Sequence, residues 1–565
     1  MSRSTMLRRI VPFVAILVLI LISVPALAQK YTAPSTPQIG SANTVTADPA
    51  VPRPAGQPCT VQLFSNLDFA DFNPKFFTYS PDCAGPWAKV VLNADWSVDA
   101  GRQFDRTAEI WIGGTNVYFG TTAEPSRTVE RSWHTEVDLT DYSTLLAAAQ
   151  GGRVDLGNLV NDTYTSHLHG SAYLQFYPVA KHHQPPVTAD QVLPMAADAT
   201  GGTVTLNSGS DQLAKTFSLP TNVERAYLDV FAQSQSGDEF WYTCAPNDVA
   251  GELYDCGNTG FREGEVSIDG KPAGIAPVYP WIYTGGIDPY LWRPVPGIQT
   301  LNFAPYRVDL TPFASTLSDG NQHTVAVSVY NANGYFSATA TLLLYLDHGS
   351  QQVTGALLKD TLGEPNPTVK ENIQTNGTAY YGTVSVSSNR GFAVSGYVNT
   401  SHGKVQTNVA QTITFLNAQT YNVYIDGSVY DQTVKQNTGI AAQTSTKSSS
   451  GIQLDTRLNS WPMTLSYAYN LYSDNSQKQV TSITQGLSEN QLTTKNGWPI
   501  YFSTMDVSEN PGDTLLIDPN GVATPTNQTN SERFTYFDSN LTCWDRTVKA
   551  NGGTLTSYKD GCGKK

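Results

Sequence analysis

Two acidic residues carry the chemical interest of this chain. Asp105 stands beside Arg106 in Gly101–Gly114, a stretch that ends in an apolar alternation and a Gly-Gly turn. That alternation reads as a strand, which puts Asp105 and Arg106 at its mouth. Glu239 lies in Gly-Asp-Glu-Phe-Trp-Tyr, directly after another strand-like run, Val223 to Phe231. Two carboxylates brought to one groove are what general acid/base or water-activating chemistry needs. Acids at strand ends also serve as solvated loop residues or as partners of nearby arginines. Spacing alone leaves both readings open.

An internal repeat favours convergence. Phe261-Arg262-Glu263-Gly264-Glu265 repeats the grammar of the Asp105 strand, with Arg262 matching Arg106 and Glu265 matching Glu109. Trp87–Asp95 resembles Val223–Phe231. Val137-Asp-Leu-Thr returns as Val308-Asp-Leu-Thr, and Asn161–Tyr177 resembles Asn331–Tyr345. Four matches in the same order indicate two related antiparallel β domains in tandem, sandwiches or jelly rolls of about eight strands each. Asp105 and Glu239 then occupy the same edge of equivalent strands.

Around the acids lie aromatics: Trp96, Phe104, Trp241, Tyr242, Trp281, Tyr283, Tyr290 and Trp292, with Arg293 next to the last. Rings beside polar loops stack on the apolar faces of sugars, and rings in a β sandwich also form its core. Trp281–Arg293, rich in Gly and Pro, reads as a loop. His167 and His169 share a strand face and His182 and His183 are adjacent, but no third ligand accompanies them, so a polar sheet face is expected rather than a metal site. No phosphate loop, HExxH or GxSxG is present, and no cofactor is called for.

The remaining chain frames this core. It has 565 residues, room for roughly three or four domains of ~150 each, and a formal net charge of -14. Without a basic stripe, nucleic acid is excluded as a partner. Residues 1–28 read as a signal peptide, with Arg3, Arg8 and Arg9, an apolar run and Ala-Leu-Ala. A secreted or periplasmic protein, free of the membrane after cleavage, is expected. Residues 29–55 read as a linker, 56–180 and 195–348 as the two repeated domains, and 349–565 as a further β-rich domain without a chemical motif. Six cysteines fall as neighbours, Cys59 with Cys83, Cys244 with Cys256 and Cys543 with Cys562. Export and proximity point to disulfides between neighbours. The fold class expected is all-β.

Taken together, Ser65-Asn-Leu-Asp-Phe69, Phe104-Asp-Arg-Thr-Ala-Glu-Ile110, Gly237–Tyr242 and Phe261-Arg-Glu263 resemble the peptide N-glycosidases. The likeness is to the plant-type amidase A branch and its acid-active bacterial relatives, over roughly residues 56–350. The resemblance implies release of whole N-linked glycans by hydrolysis of the glycosylated asparagine amide, with N-glycosylated peptides or proteins as partners. It implies two eight-stranded jelly rolls and a metal-free site. It also implies Asp105 as the main catalytic acid, Glu239 as its water-holding partner and Arg106 as a sugar ligand, with Arg293 as a further active-site arginine. Trp241, Arg262 and Trp292 are expected as further substrate contacts. A third carboxylate belongs to the pattern of the more distant flavobacterial branch, yet the corresponding stretch, Val154–Leu159, offers no glutamate. An acidic optimum and a monomer are expected. A glycan-binding module and a two-carboxylate glycoside hydrolase remain the alternatives.

Overall fold

The computed structural model describes residues 36–562; the signal-peptide expectation, residues 1–28, lies outside them. Two strand sets come first. The first comprises β1 (Cys59–Phe69), β2 (Lys75–Tyr79), β3 (Trp87–Val98), β4 (Thr107–Ile112), β5 (Thr115–Thr121), β6 (Arg131–Asp138), β7 (Gln150–Leu156) and β8 (Leu168–Pro178). They form two four-stranded antiparallel sheets, ordered β1-β8-β3-β6 and β2-β7-β4-β5. This is the strand order of a jelly roll. Alternation makes it possible: β8 places Leu168, Gly170, Ala172, Leu174 and Phe176 inside and the intervening residues further out.

The second set follows the same plan. It comprises β9 (Gln191–Pro194), β10 (Val204–Leu206), β11 (Leu213–Ser218), β12 (Val223–Gln235), β13 (Glu263–Ile268), β14 (Lys271–Pro277), β15 (Tyr306–Asp309), β16 (Gln322–Tyr330) and β17 (Tyr335–Leu346). Its sheets run β10-β17-β12-β15 and β11-β16-β13-β14. Each strand takes the place of its counterpart in the first set, so the repeat seen in the sequence is a repeat of topology. The extra strand β9 comes from the Pro-bearing connection and pairs with β17. Main-chain bonds join the sandwiches, among them Phe303 N–H to the Phe119 carbonyl at 2.8 Å. Buried polar groups add to them: the Tyr142 hydroxyl donates to Asp229 at 3.0 Å, and Arg307 spans Asp229 and Asp141.

The C-terminal part is one twelve-stranded antiparallel sheet. It contains β18 (Thr354–Asp360), β19 (Thr368–Thr375), β20 (Ala379–Thr400), β21 (Gly403–Tyr424), β22 (Val429–Ser448), β23 (Gly451–Leu471), β24 (Gln477–Lys495), β25 (Trp498–Glu509), β26 (Gly512–Ile517), β27 (Ala523–Asp538), β28 (Cys543–Asn551) and β29 (Thr554–Asp560). Several strands exceed the usual five or six residues severalfold. One face alternates apolar and small residues into a core shared with the second sandwich: Val386, Phe415, Trp461, Leu465 and Ile483 pack with Phe261, Tyr279 and Val308. Arg390 of β20 reaches across to Glu263 and Glu265 of β13.

Residues 36–55, the described part of the stretch read as a linker, run as an extended strap over all three parts. Ala47 N–H donates to Glu532 at 2.7 Å and the Trp544 indole donates to the Ala47 carbonyl at 2.9 Å. Leu555 exchanges main-chain bonds with Gly40 and Ser41, Val45 N–H bonds to Pro294, and Arg53 pairs with Glu136 at 2.7 Å. The three neighbour disulfides are all formed. Among the described residues no helix is long and apolar enough to cross a membrane.

Candidate functional site

The mouth is assembled from four chain segments. The β3–β4 loop supplies Gln103 to Arg106. The segment just after β5 supplies Thr122 to Glu124. A short turn after β12 supplies Glu239. The long connection between β14 and β15 supplies Thr284 to Arg293. The β4–β5 hairpin brings the first two together, because Thr107 pairs with Thr121 across the Gly113-Gly114 turn.

Asp105 is fixed from the second sandwich. Its Oδ2 accepts from the Gly285 amide at 3.0 Å and from the Thr284 hydroxyl at 3.3 Å. Thr284 itself is tied to the Thr122 carbonyl at 2.6 Å. Only glycine permits this approach: a Cβ on residue 285 would lie 2.4 Å from Asp105 Oδ1. Burial raises the Asp105 pKa, while the Gly285 and Thr284 bonds and the Arg106 charge draw it down.

Glu239 lies within electrostatic reach of Asp105. Burial, and then the Asp105 charge, push its carboxyl up to about 7. Both acids also act on the buried Tyr283, whose hydroxyl donates to the Ser234 carbonyl at 2.7 Å. The structure therefore brings Asp105 and Glu239 to one locale, on a two-domain seam. Arg106 sits beside them, half-buried. Its amide donates to Thr122 Oγ1 at 2.8 Å and its guanidinium to Gln103 Oε1 at 2.8 Å. Its Nε has no protein partner. Phe104 and Phe72, 53% and 67% exposed, flank the guanidinium.

Arg293 is at the mouth as well, but paired. It donates to Glu124 at 2.7 Å and to the Pro125 carbonyl at 2.5 Å, and lies over the Tyr290 ring. The sequence motifs do not single out Glu124; the third-carboxylate pattern points to Val154–Leu159 instead. Burial raises the Glu124 pKa to about 8, with Arg293 opposing and the Asp105 charge adding. The signal was present: folding the chain about Gly113-Gly114 sets residues just after Thr121 opposite those just before Thr107. Thr284 and Gly285 carried no such mark.

Three expected substrate contacts are placed elsewhere. Arg262 is fully buried and bonds Asp238 at 2.8 Å, with further donations to the carbonyls of Asn258, Thr259 and Phe261. Its guanidinium is used up holding the turn that carries Glu239, so it does not face a ligand. The Trp241 ring is also inside, packed on Tyr242 and Phe415. Trp292 is buried and donates to the Gly286 carbonyl at 2.9 Å, which shapes the Gly285 loop. The loop expected at Trp281–Arg293 is a loop, but a buried one. Its tryptophans take a supporting role because their rings have no open face. His167 and His169 pair with Asp68 and Asp99, and among the described residues no group of three or more His, Cys, Asp or Glu side chains could hold a metal ion.

A family model described as peptide N-acetyl-beta-D-glucosaminyl asparaginase amidase A matches residues 49–362, which include every segment of the mouth. Over 393 residues the chain is 32% identical to peptide-N4-(N-acetyl-beta-glucosaminyl)asparagine amidase A of Prunus dulcis, covering 65% of this chain and 67% of that protein. Among solved structures, PNGase F, a glycosylasparaginase from Flavobacterium meningosepticum, aligns at 12% identity over 52% of this chain and 96% of its own, with a TM-score of 0.33. PNGF-II aligns at 13% over 51% and 66%, with a TM-score of 0.36. Those scores are low, and the jelly-roll description rests on the strand order itself. With a family match over more than half its length, the chain belongs to the peptide N-acetyl-beta-D-glucosaminyl asparaginase amidase A family.

Proposed function

We infer that this protein is an amidase that releases intact N-linked glycans, hydrolysing the side-chain amide of the glycosylated asparagine to give aspartate and a glycosylamine. Beside family membership, the observation that carries the reading is the Asp105 carboxylate, held on the seam of the two sandwiches by the Gly285 amide and the Thr284 hydroxyl. A carboxylate so fixed does not reorganise when substrate arrives.

In the step proposed, the glycosylated asparagine lies across the mouth. Water held by Glu239 attacks the amide carbon, and the bond between that carbon and the amide nitrogen breaks, so the nitrogen leaves still attached to the sugar and the carbon becomes the aspartate carboxyl. Asp105 takes part in moving the proton that the departing nitrogen needs, and the glycosylamine later loses ammonia to water. A carboxyl pushed up to about 7, as Glu239 is, exchanges protons near neutrality more readily than an ordinary glutamate. Arg106 contacts the sugar, with the exposed Phe104 and Phe72 rings beside it. Arg293 and Glu124 form a charged wall, and Arg262, Trp241 and Trp292 hold the loops behind it.

The substrate class proposed is N-glycosylated peptides and proteins, met by a monomer outside the cytoplasm. Three disulfides suit an oxidising compartment. The division proposed is 56–180, 195–348 and 349–565, the last sharing its core with the second. Digestion of a defined glycopeptide by wild type and by Asp105→Asn tests the reading. Wild type should convert asparagine to aspartate and free the whole glycan, and the folded variant should not. Release of a shortened sugar, leaving one on the peptide, would overturn it.

A further inference from the structure

A second concave site lies between the second sandwich and the large sheet. It encloses about 450 Å3, within the usual range for small-ligand sites. Strand β15 forms one wall and the inward faces of β23 and β24 form the other. It is remote from the mouth. On β12, Tyr227 pairs with Asp309 at this cleft, while Ser234 meets Tyr283 at the mouth. The intervening strand spans roughly 23 Å.

Register builds the far wall. Asn459 stands opposite Glu489 and Arg457 opposite Gln491, so four polar side chains form a two-by-two block facing the cleft. None of the hydrogen bonds or salt bridges formed among the described residues uses these four side chains. Nearby polar groups are, by contrast, taken: Asp455 accepts from Thr493 at 2.7 Å and Gln453 at 2.9 Å, and Asp309 accepts from Thr444 at 3.1 Å. Desolvation by the cleft walls raises the carboxyls of the half-buried Asp309 and of Glu489, a residue that keeps access to solvent, and Arg457 opposes it at both, which places the guanidinium within electrostatic reach of each.

The unused groups are one cation, one anion and two amides. They carry no net charge and offer both donors and acceptors. A sugar hydroxyl does both, and a neutral polyol leaves neither charge unbalanced. The cleft is also lined by the rings of Tyr306 and Phe392; the Tyr306 hydroxyl accepts from Gln411 at 2.8 Å, which fixes that ring. Aromatic rings offer the apolar surface that the carbon face of a sugar requires.

We propose that this cleft is a carbohydrate-binding site for a neutral mono- or disaccharide unit, bonded by Arg457, Asn459, Glu489 and Gln491 beside the Tyr306 ring. The proposal rests on this wall alone and does not depend on the amidase reading.

Calorimetric titration of the full chain with mannobiose, N,N′-diacetylchitobiose and lactose tests it, with glucosamine and N-acetylneuraminic acid as cationic and anionic controls. At least one neutral disaccharide should bind with a Kd of about 1 mM or tighter. Glu489→Gln and Arg457→Met, each checked for an unchanged unfolding temperature, should weaken it tenfold or more. Asp105→Asn should leave that binding unchanged, and Glu489→Gln should leave glycopeptide turnover unchanged. Absence of binding by every neutral disaccharide would overturn the proposal, as would binding by the charged sugars alone. Retention of full affinity in both cleft variants, or loss of affinity in Asp105→Asn alone, would place the sugar elsewhere and overturn it equally.

Discussion

Replacing Gly285 with alanine should disable the enzyme without unfolding it. The added Cβ would sit 2.4 Å from Asp105 Oδ1 and 2.9 Å from its Cγ. Ordinary contact requires about 3.5 Å, so the carboxylate or the loop must yield by roughly 1 Å. Residue 285 is not among the glycines with left-handed backbone, so alanine meets no conformational obstacle besides this contact. A misplacement of about 1 Å at a reacting group costs on the order of a hundredfold in rate, equivalent to about 2.7 kcal/mol of barrier. The assay is kcat/KM on a soluble glycopeptide, followed by the appearance of aspartate, with thermal unfolding as the check on structure. The same alanine placed in an Asp105→Asn background should cost little more, because the two changes act on one contact and are not additive. A folded Gly285→Ala protein within threefold of wild type would refute the argument that Asp105 works from a fixed position. Full additivity in the double variant would do the same.

Three further outcomes follow from the geometry. The kcat/KM profile should peak below neutrality and fall on the alkaline side, as Glu239, pushed up to about 7, loses its proton beside Asp105. Glu239→Gln should remove that limb along with most of the activity, and a maximum at pH 8 or above would contradict it. Arg262→Met should leave the buried Asp238 without its guanidinium partner; breaking such a buried pair costs about 3–5 kcal/mol, which should appear as a clear drop in unfolding temperature. A variant with wild-type stability and an altered KM alone would instead make Arg262 a ligand contact. Finally, Glu109 is buried and raised from 4.5 to about 8, first by burial and then by the Asp155 charge. A carboxyl with a raised folded pKa stabilises the fold fully below its unfolded pKa and loses that contribution as pH rises through the folded one. The unfolding temperature should therefore fall between about pH 5 and pH 9, and by less in Glu109→Gln; an identical slope in both proteins would rule out this source.

The parts of the fold legible beforehand were those written twice. Because Val137-Asp-Leu-Thr and Val308-Asp-Leu-Thr end equivalent strands, and Arg106 and Arg262 begin equivalent ones, the chain announces a duplicated topology before any contact is known. The same duplication misleads about chemistry. Arg106 and Arg262 match in sequence, yet one faces the mouth and the other is sealed against Asp238, since the Cys244–Cys256 insertion covers only the second copy. Nor could alternation tell a sugar platform from a core ring: Trp241 and Trp292 are inside, while Phe104 and Phe72 are the exposed ones. Local periodicity marks which residues share a face, but burial depends on what other segments lay over that face. For the long connection between β14 and β15, the covering bodies are the first sandwich, met at Thr122, and the large sheet, whose Gln479, Gln485 and Asn530 bond Asp288, Pro280 and Leu291, each more than a hundred residues away.

The strap has a consequence for how this molecule comes into being. Ala47 is separated from its anchors Glu532 and Trp544 by 485 and 497 residues. At roughly 5–20 residues per second, a ribosome needs about half a minute to a minute and a half to travel that far. Throughout that interval Ala47 lacks these anchors, although Ala42 and Asn43 just before it can already hold Arg131 and Ser132 of the first sandwich. The carbonyls of Tyr290, Leu291, Arg293 and Val295 likewise wait for Gln528 and Asn530 of β27, so the mouth takes its final shape at the end of biosynthesis, however early its own residues emerge.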